Sequence, residues 1–404
     1  MRDHIASDTL IKPANRPANF NQAINAFRGV CVLMVFAYHV AHSGLLPVFS
    51  DVAIDRVSID GVIAFFVSSW KYGVELFFMI SGWVIIASLR RHRNVAAFLR
   101  DRCIRIFPVW IPVFLCVFSV GAVLGWKMFA GSDASHLATM FVANLFLIPP
   151  LLPIPVLHPA SWSLSYEWLF YLLAAAAFAI HTSSKLPTYA RSALSVLVGV
   201  AALWLLYLLP RALFFIPGVI LALHWLPLER YRKLLRWPSL SLLVFLLSWC
   251  MINVDQAHPG AYNVWAIISS YQIGFVVLAF VAGLHLFACI TSDAGQIRWL
   301  RPAAIQLLGT VSYSFYLWHP IVMFAVKRPI ARWASPVVGD LGTAVLFAVV
   351  SFAMSFLIAW LSYRVFEQGA AKFFRNRLAP HQSRAAAVLN ATPANAITLR
   401  MKGG

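Results

Sequence analysis

Long apolar stretches with few charges recur along this chain, and they restrict its fold more than any other feature. Of its 404 residues, 61% are hydrophobic and 11% are charged, which is more apolar surface than a soluble domain of this size can bury. In hydrocarbon, every backbone N–H and C=O must find a partner within the protein, so only helices and closed barrels span. Near-continuous apolar stretches favour helices. The sequence therefore predicts an all-α, polytopic integral membrane protein.

About ten transmembrane helices are expected from these stretches. The predicted spans cover residues 22–42, 69–89, 104–126, 162–181, 192–209, 212–227, 238–253, 264–290, 303–326 and 341–366. The sixth and seventh are short, and the apolar segment 61–69 either lengthens the second span or forms a re-entrant piece. The connection 127–161 is rich in proline and is expected to be a loop without a long helix.

The predicted membrane domain covers residues 21–378, between a polar tail at 1–20 and a tail at 379–404 that is predicted to be disordered. The first tail lacks the apolar core of a signal peptide, so the first span is expected to be a retained anchor. Lys and Arg favour the cytoplasmic side, and this rule places both termini in the cytoplasm. The basic residues that then lie outside are only Arg56, Lys71, Lys127, Arg211, Lys327, Arg328 and Arg332.

The net charge of +18 is explained by this topology and by attraction to anionic lipid, so we predict no nucleic-acid partner. The five cysteines lie in or beside apolar spans. Scattered cysteines in spans are usually small core residues, and we predict neither a disulfide framework nor a metal site.

Arg28 and His39 lie eleven residues apart in the first span, about 16 Å along a helix and close to one face. Ionisable groups within a span indicate function. Arg102 and Arg105 open the third span from the same side as Arg28 and share a helix face. Anchoring by positive charge is the simpler explanation, but three guanidiniums at one depth also predict a site for a phosphorylated ligand.

Four ionisable residues from four spans are predicted at a second, outer depth: His39, Glu75, Glu167 and His319. Each has a simpler explanation by itself. Glu75 would pair with Lys71, its neighbour in the preceding turn; Glu167 would be a satisfied interior carboxylate; His319 would be a polar helix end; and His39 would be a hydrogen-bonded core histidine. Their shared depth favours a site.

Five motifs in order resemble the membrane acyltransferase-3 family of bacterial O-acyltransferases, over about residues 22–367. They are Arg28-x10-His39, the segment 75–82 (ELFFMISG), Arg102-x-x-Arg105-x-x-Pro108, the segment 161–167 (SWSLSYE) and the segment 312–320 (SYSFYLWHP). The resemblance implies ten spans in a bacterial cytoplasmic (inner) membrane. It also implies acyl-CoA as donor, with acetyl as the default group, and a hydroxyl acceptor on a glycan, glycolipid or secreted metabolite.

The resulting mechanism places the donor phosphates on Arg28, Arg102 and Arg105 and makes His39 the general base for the acceptor hydroxyl. Glu167 or Glu75 would orient the imidazole, and His319 would donate to the developing oxyanion. A covalent acyl-enzyme on His39, Ser163 or Ser81 is the competing route.

A transporter or flippase of a glycan precursor or anionic metabolite is the alternative function, although we find no internal repeat to support it. A membrane sensor or scaffold would not need charges at two depths.

Overall fold

The computed structural model describes residues 22–46, 59–92, 94–129, 131–149, 151–152, 154–231, 233, 235–253, 272–292 and 297–373. Within these ranges the chain forms helices and no strands, so the all-α class is confirmed for this part of the chain. The α-helices are α1 (Gln22–Ala41), α2 (Ile59–Ser68), α3 (Gly73–His92), α4 (Val95–Val123), α5 (Ala134–Leu145), α6 (Ser161–Thr182), α7 (Thr188–Leu208), α8 (Ile216–Ala222), α9 (Pro238–Asn253), α10 (Gln272–Ser292) and α11 (Ala303–Ser362). Two 3₁₀ segments, Ser69–Tyr72 and Pro210–Phe215, lead into α3 and α8.

Helix α11 contains the last two predicted spans as two arms, 303–338 and 340–362. The arms meet at Gly339, which has φ 67° and ψ −175°. Only glycine adopts this conformation without strain, because a Cβ would clash with the backbone. A π-helical segment, Tyr363–Gln368, follows the second arm and packs against α4.

Helices α1 and α11 cross at two glycines. A Cβ on Gly29 would collide with the carbonyl oxygen of Ile305, and one on Gly309 would collide with that of Asn25. Asn25 stabilises the same crossing, because its side-chain amide donates a hydrogen bond to the carbonyl of Gln306 at 2.7 Å. Close approach through small residues, with a polar side chain bonded across, is how helices associate in lipid.

Helices α3 and α8 make a second glycine crossing. A Cβ on Gly82 would collide with the carbonyl of Phe215, and one on Gly218 with the carbonyl of Met79. By contrast, α7 buries none of its residues, so it lies at the lipid-facing edge. The other long helices all contribute buried side chains to the interior, including α9 with Phe245, α10 with Phe287 and the second arm of α11 with Phe347.

Each predicted span overlaps a helix, but the number of crossings stays a prediction. Among the described residues, seven helices are long and apolar enough to cross a membrane, the longest of them running from Ala303 to Phe373. Two further apolar helices, Pro210–Ala222 and Pro238–Ile252, are shorter. The cytoplasmic position of the termini is likewise untested, and residues 1–21 and 374–404 lie outside the described part. The connection 127–161, predicted as a loop without a long helix, contains the short, twelve-residue helix α5.

Candidate active site

A cavity of about 270 Å³ lies between α1, α3, α4, α6 and α11. On α3 its lining runs from Val74 to Arg91, which is about 25 Å of helix. We call the part lined by Arg28, Arg91, Arg102 and Arg105 the arginine end, and the part lined by Val74, Phe77, Ser163 and Tyr316 the tyrosine end. The cavity thus connects two depths of the helix bundle.

The arginine end carries an excess of positive charge. Four arginines and one carboxylate, that of Glu167, line the cavity. Arg28 and Arg105 have no hydrogen-bond or ion-pair partner among the described residues, although they lie inside a helix bundle. Arg28 is partly buried and Arg105 is exposed, and the charges of Glu167 and Glu367 act on both. Four arginines face fewer carboxylates here, and guanidiniums without a bonded carboxylate can bind phosphate oxygens, so this end suits an anionic ligand.

Arg102 is held in place by one hydrogen bond and by two rings. Its Nη2 donates to Ser88 Oγ at 3.3 Å, and its guanidinium carbon lies 5.6 Å from the ring centre of Phe98 and 5.8 Å from that of Tyr171. Its Nε is buried and has no partner among the described residues. A fixed guanidinium with a spare N–H is suited to bind a phosphate oxygen.

Glu167 lies at the cavity rather than beside His39. Its Oε1 accepts hydrogen bonds from Ser81 Oγ at 2.9 Å and from Tyr171 Oη at 2.6 Å. The expected orientation of the His39 ring by Glu167 therefore has no contact to support it. Instead, the carboxylate is fixed by two hydroxyls close to the arginine end.

Glu75 is paired with Arg211, and not with the Lys71 that sequence spacing suggested. Glu75 is 0% exposed, and the Arg211 guanidinium stacks 4.2 Å from the ring centre of Trp162. Glu75 does not line the cavity, and within the described ranges it makes no hydrogen bond to His39. Its geometry is that of a buried structural ion pair.

His39 and His319 contact each other directly. His319 Nε2 lies 3.2 Å from His39 Nδ1, and His319 Nδ1 lies 3.1 Å from the carbonyl oxygen of Phe315. Neither histidine lines the cavity, but the ring of Tyr316, at the tyrosine end, lies 6.0 Å from that of His319. The histidine pair therefore lies just beyond the tyrosine end, and the three predicted phosphate-binding arginines lie at the opposite end.

Ser163, a candidate nucleophile, is engaged at the tyrosine end. Its Oγ donates to the carbonyl of Ala160 at 3.0 Å and lies 2.9 Å from the Tyr316 hydroxyl. Because the one serine hydrogen points at Ala160, the tyrosine is the donor of the second bond. Ser81 likewise donates to Glu167, as described above.

Several residues that complete this region were not predicted from the sequence. Glu367 accepts a hydrogen bond from Ser314 at 2.6 Å, and its charge acts on Arg28 and Arg105. As a carboxylate directly after the last predicted span, 341–366, it carried a signal close to the one that selected Glu75. Tyr171 lies one turn after Glu167 and was detectable from that spacing, whereas the pairing of Arg211 with Glu75 needed the tertiary structure.

His158, set aside as a loop residue in the sequence, is a buried connection between the loop before α6 and α11. Its Nε2 donates to the carbonyl of Leu317 at 2.9 Å, and its Nδ1 accepts from the N–H of Ala160 at 3.1 Å. Burial lowers the pKa of His158 to about 4. The neutral ring therefore fixes the start of α6 against the helix that carries His319.

The five cysteines are unpaired, and the part of the chain that the structure describes contains no group of His, Cys, Asp and Glu that would hold a metal ion.

The fold is that of a multi-pass membrane protein, and its apolar helix bundle has a cationic cavity at one depth and a histidine pair at another. Residues 21–364 match the acyltransferase domain family. The chain belongs to this family and is an acyltransferase, which sets aside the transporter alternative.

Curated relatives have names that agree with this family. The chain is 29% identical over 296 residues to the exopolysaccharide production protein ExoZ of Rhizobium meliloti, covering 69% of this chain and 83% of that protein. It is 25% identical to the acyltransferase MdmB of Streptomyces mycarofaciens, covering 81% and 87%. It is 23% identical to the peptidoglycan O-acetyltransferase OatA of Listeria monocytogenes, covering 85% of this chain and 55% of that protein. No solved structure matches the chain.

Proposed function

We propose that this protein is an O-acyltransferase of a bacterial inner membrane that moves an acyl group, acetyl in the first instance, from cytoplasmic acyl-CoA to a hydroxyl of an exported glycan or glycolipid. The cavity is the observation that carries the proposal. Its arginine end holds guanidiniums that suit phosphates, and its tyrosine end stops beside a histidine pair about one coenzyme arm away.

The donor is assigned to the arginine end on chemical grounds. Coenzyme A carries several phosphate charges at one end and its thioester at the other. Arg28, Arg102 and Arg105 would bind the phosphates, and the apolar wall formed by α3 would face the pantetheine arm. The offset from Arg28 to His39 along α1, about 16 Å, is of the order that this arm spans.

The reaction uses His39 as general base. Its free ring nitrogen takes the proton of the acceptor hydroxyl while the oxygen attacks the thioester carbonyl, a new C–O bond forms and the C–S bond breaks. The departing thiolate then takes the proton from the imidazolium, so the enzyme returns to its starting state. A covalent acyl-enzyme is the competing route, but Ser163 and Ser81 already donate their hydrogens to Ala160 and Glu167.

The acceptor is proposed from the names of relatives. ExoZ is named for exopolysaccharide production, and OatA for O-acetylation of peptidoglycan. A polysaccharide hydroxyl is therefore the first acceptor to screen, followed by a glycolipid and a small secreted metabolite.

The test is donor binding and turnover with the full chain in detergent. We expect wild type and His39→Ala to bind acetyl-CoA, Arg102→Ala to bind it at least tenfold more weakly, and His39→Ala to lose transfer. Arg100→Ala is the matched control, because Arg100 lies on the same helix, is exposed and contacts Asp101 at 3.6 Å. Equal binding by Arg102→Ala and wild type would contradict the donor site, and normal transfer by His39→Ala would contradict the base.

A further inference from the structure

His319 occupies a position in which both of its ring nitrogens have defined neighbours. It is 0% exposed, and its ring is held by those of Phe36, Phe315 and Tyr316, whose centres lie 5.9 to 6.2 Å away. Nδ1 faces the Phe315 carbonyl at 3.1 Å, and Nε2 faces His39 Nδ1 at 3.2 Å. These two contacts determine where the ring hydrogens lie.

The Phe315 carbonyl determines the first hydrogen. A carbonyl oxygen only accepts, so His319 Nδ1 carries a hydrogen and donates it. The second nitrogen is protonated only in the cationic ring. A cation there would be surrounded by aromatic rings, and neither histidine has an ion pair within the described ranges. Burial of an unpaired charge is strongly unfavourable, so His319 is neutral and its Nε2 carries a lone pair.

The lone pair on His319 acts on the tautomer of His39 together with the Val35 carbonyl, which lies one turn earlier on α1 and also interacts with the His39 ring. The contact of 3.2 Å is a hydrogen bond only if His39 Nδ1 supplies the hydrogen. A neutral imidazole has a single N–H, so His39 Nε2 is left with a free lone pair. We propose that His319 is a positioning residue that holds His39 in the Nδ1–H tautomer and directs its basic Nε2 to the reaction.

The proposal rests on the proposed function for its catalytic meaning, but the tautomer itself does not depend on activity. His319 takes the part that an orienting carboxylate plays in a triad, while Glu75 and Glu167 are bonded elsewhere. When His39 Nε2 accepts the hydroxyl proton, the bond from Nδ1 to His319 becomes charge-assisted and shorter. His319 has no N–H left for an oxyanion, so that expected role is replaced.

The test compares wild type with His319→Phe and His319→Gln, each as the full chain in detergent. Phenylalanine fits the aromatic surroundings and removes the acceptor. Glutamine places an amide oxygen near the former Nε2 and keeps an acceptor. ¹⁵N NMR of histidine-labelled protein reports the hydrogen on each ring nitrogen, and a His39→Gln sample identifies the His39 signals by their loss.

We expect an unprotonated Nε2 on His39 in wild type and in His319→Gln, and a mixture containing the Nε2–H form in His319→Phe. In turnover, His319→Phe should lower kcat at least tenfold with an unchanged Kd for acetyl-CoA, and His319→Gln should recover most of the loss. A protonated Nε2 in wild type, or no change of tautomer in His319→Phe, would overturn the proposal. If the tautomers are as expected but wild type transfers no acyl group, the proposed function fails and the positioning geometry stands.

Discussion

Arg211 and Arg105 both lie within the helix bundle, but one is paired with a carboxylate and the other is not. Arg211 contacts the fully buried Glu75 and stacks on Trp162. Arg105 lines a cavity together with Arg28 and Arg102 and has no hydrogen-bond or ion-pair partner among the described residues. A closed pair stabilises the fold, whereas an open cluster retains its capacity for a ligand. Substitution of Arg211 should therefore lower the stability of the fold, whereas substitution of Arg105 should lower the affinity for a ligand.

The largest effect is expected where the closed pair is broken. Arg211→Met leaves the Glu75 carboxylate buried without its partner, and the loss of stability should be about 3–5 kcal/mol. Thermal unfolding in detergent measures it. The double variant Glu75→Gln/Arg211→Met removes both charges and should recover most of the loss. If the single variant is as stable as wild type, Lys71 has replaced Arg211 as the partner.

In the open arginine cluster, Arg105→Ala should change the free energy of unfolding by no more than about 1 kcal/mol, because no ion pair is lost. Binding of coenzyme A should weaken about 10- to 100-fold, the value of a charge-assisted phosphate contact. Calorimetric titration measures this affinity, with Arg100→Ala as control. A large loss of stability with normal affinity would place Arg105 in the structural class with Arg211.

Tyr171→Phe tests a residue that lines the cavity and also holds a carboxylate in place. It removes the bond of 2.6 Å to Glu167 and leaves the one from Ser81, so stability should fall by about 1–2 kcal/mol. Unfolding in detergent is again the measurement, and Tyr189→Phe is the control, because Tyr189 is 79% exposed. An unchanged transition would mean that Ser81 alone satisfies the carboxylate.

The smallest effect is expected for Glu367→Gln. Its carboxylate partly neutralises Arg28 and Arg105, so its removal should strengthen coenzyme A binding about threefold, or about 0.5–1 kcal/mol. The gain should shrink at high salt. Asp340→Asn is the matched control, because Asp340 is an exposed acid on α11, the helix that leads into the π-helical segment of Glu367. Weaker binding would indicate that Glu367 positions an arginine instead of competing with the ligand.

The positions of the helices were predictable, because the apolar stretches record them directly. The predicted span at 162–181 and the helix Ser161–Thr182 differ by a single residue at each end. Helix α5 was not predicted, since it is short and a proline-rich segment, 149–159, follows it. The predicted proximity of Arg28, Arg102 and Arg105 agrees with their common cavity. Residues that face inward at the same depth of a helix bundle lie close together.

The partners of the ionisable side chains were less predictable. Spacing along one helix suggested Lys71 for Glu75, but the structure supplies Arg211, 136 residues further along the chain. Depth alone grouped Glu167 with His39. Depth gives one coordinate, whereas contact also depends on which face of each helix is turned inward.

The sequence by itself determined that this chain is a helical membrane protein with cations at one depth and histidines at another, because hydrocarbon excludes other backbone structures and makes every buried charge conspicuous. Only the tertiary structure decided which charges are paired, which remain open to a ligand, and that the partner of His39 is His319. Glycine crossings such as Gly29 with Gly309 set the rotation and spacing of the helices, and hydrogen bonds of about 3 Å depend on that arrangement.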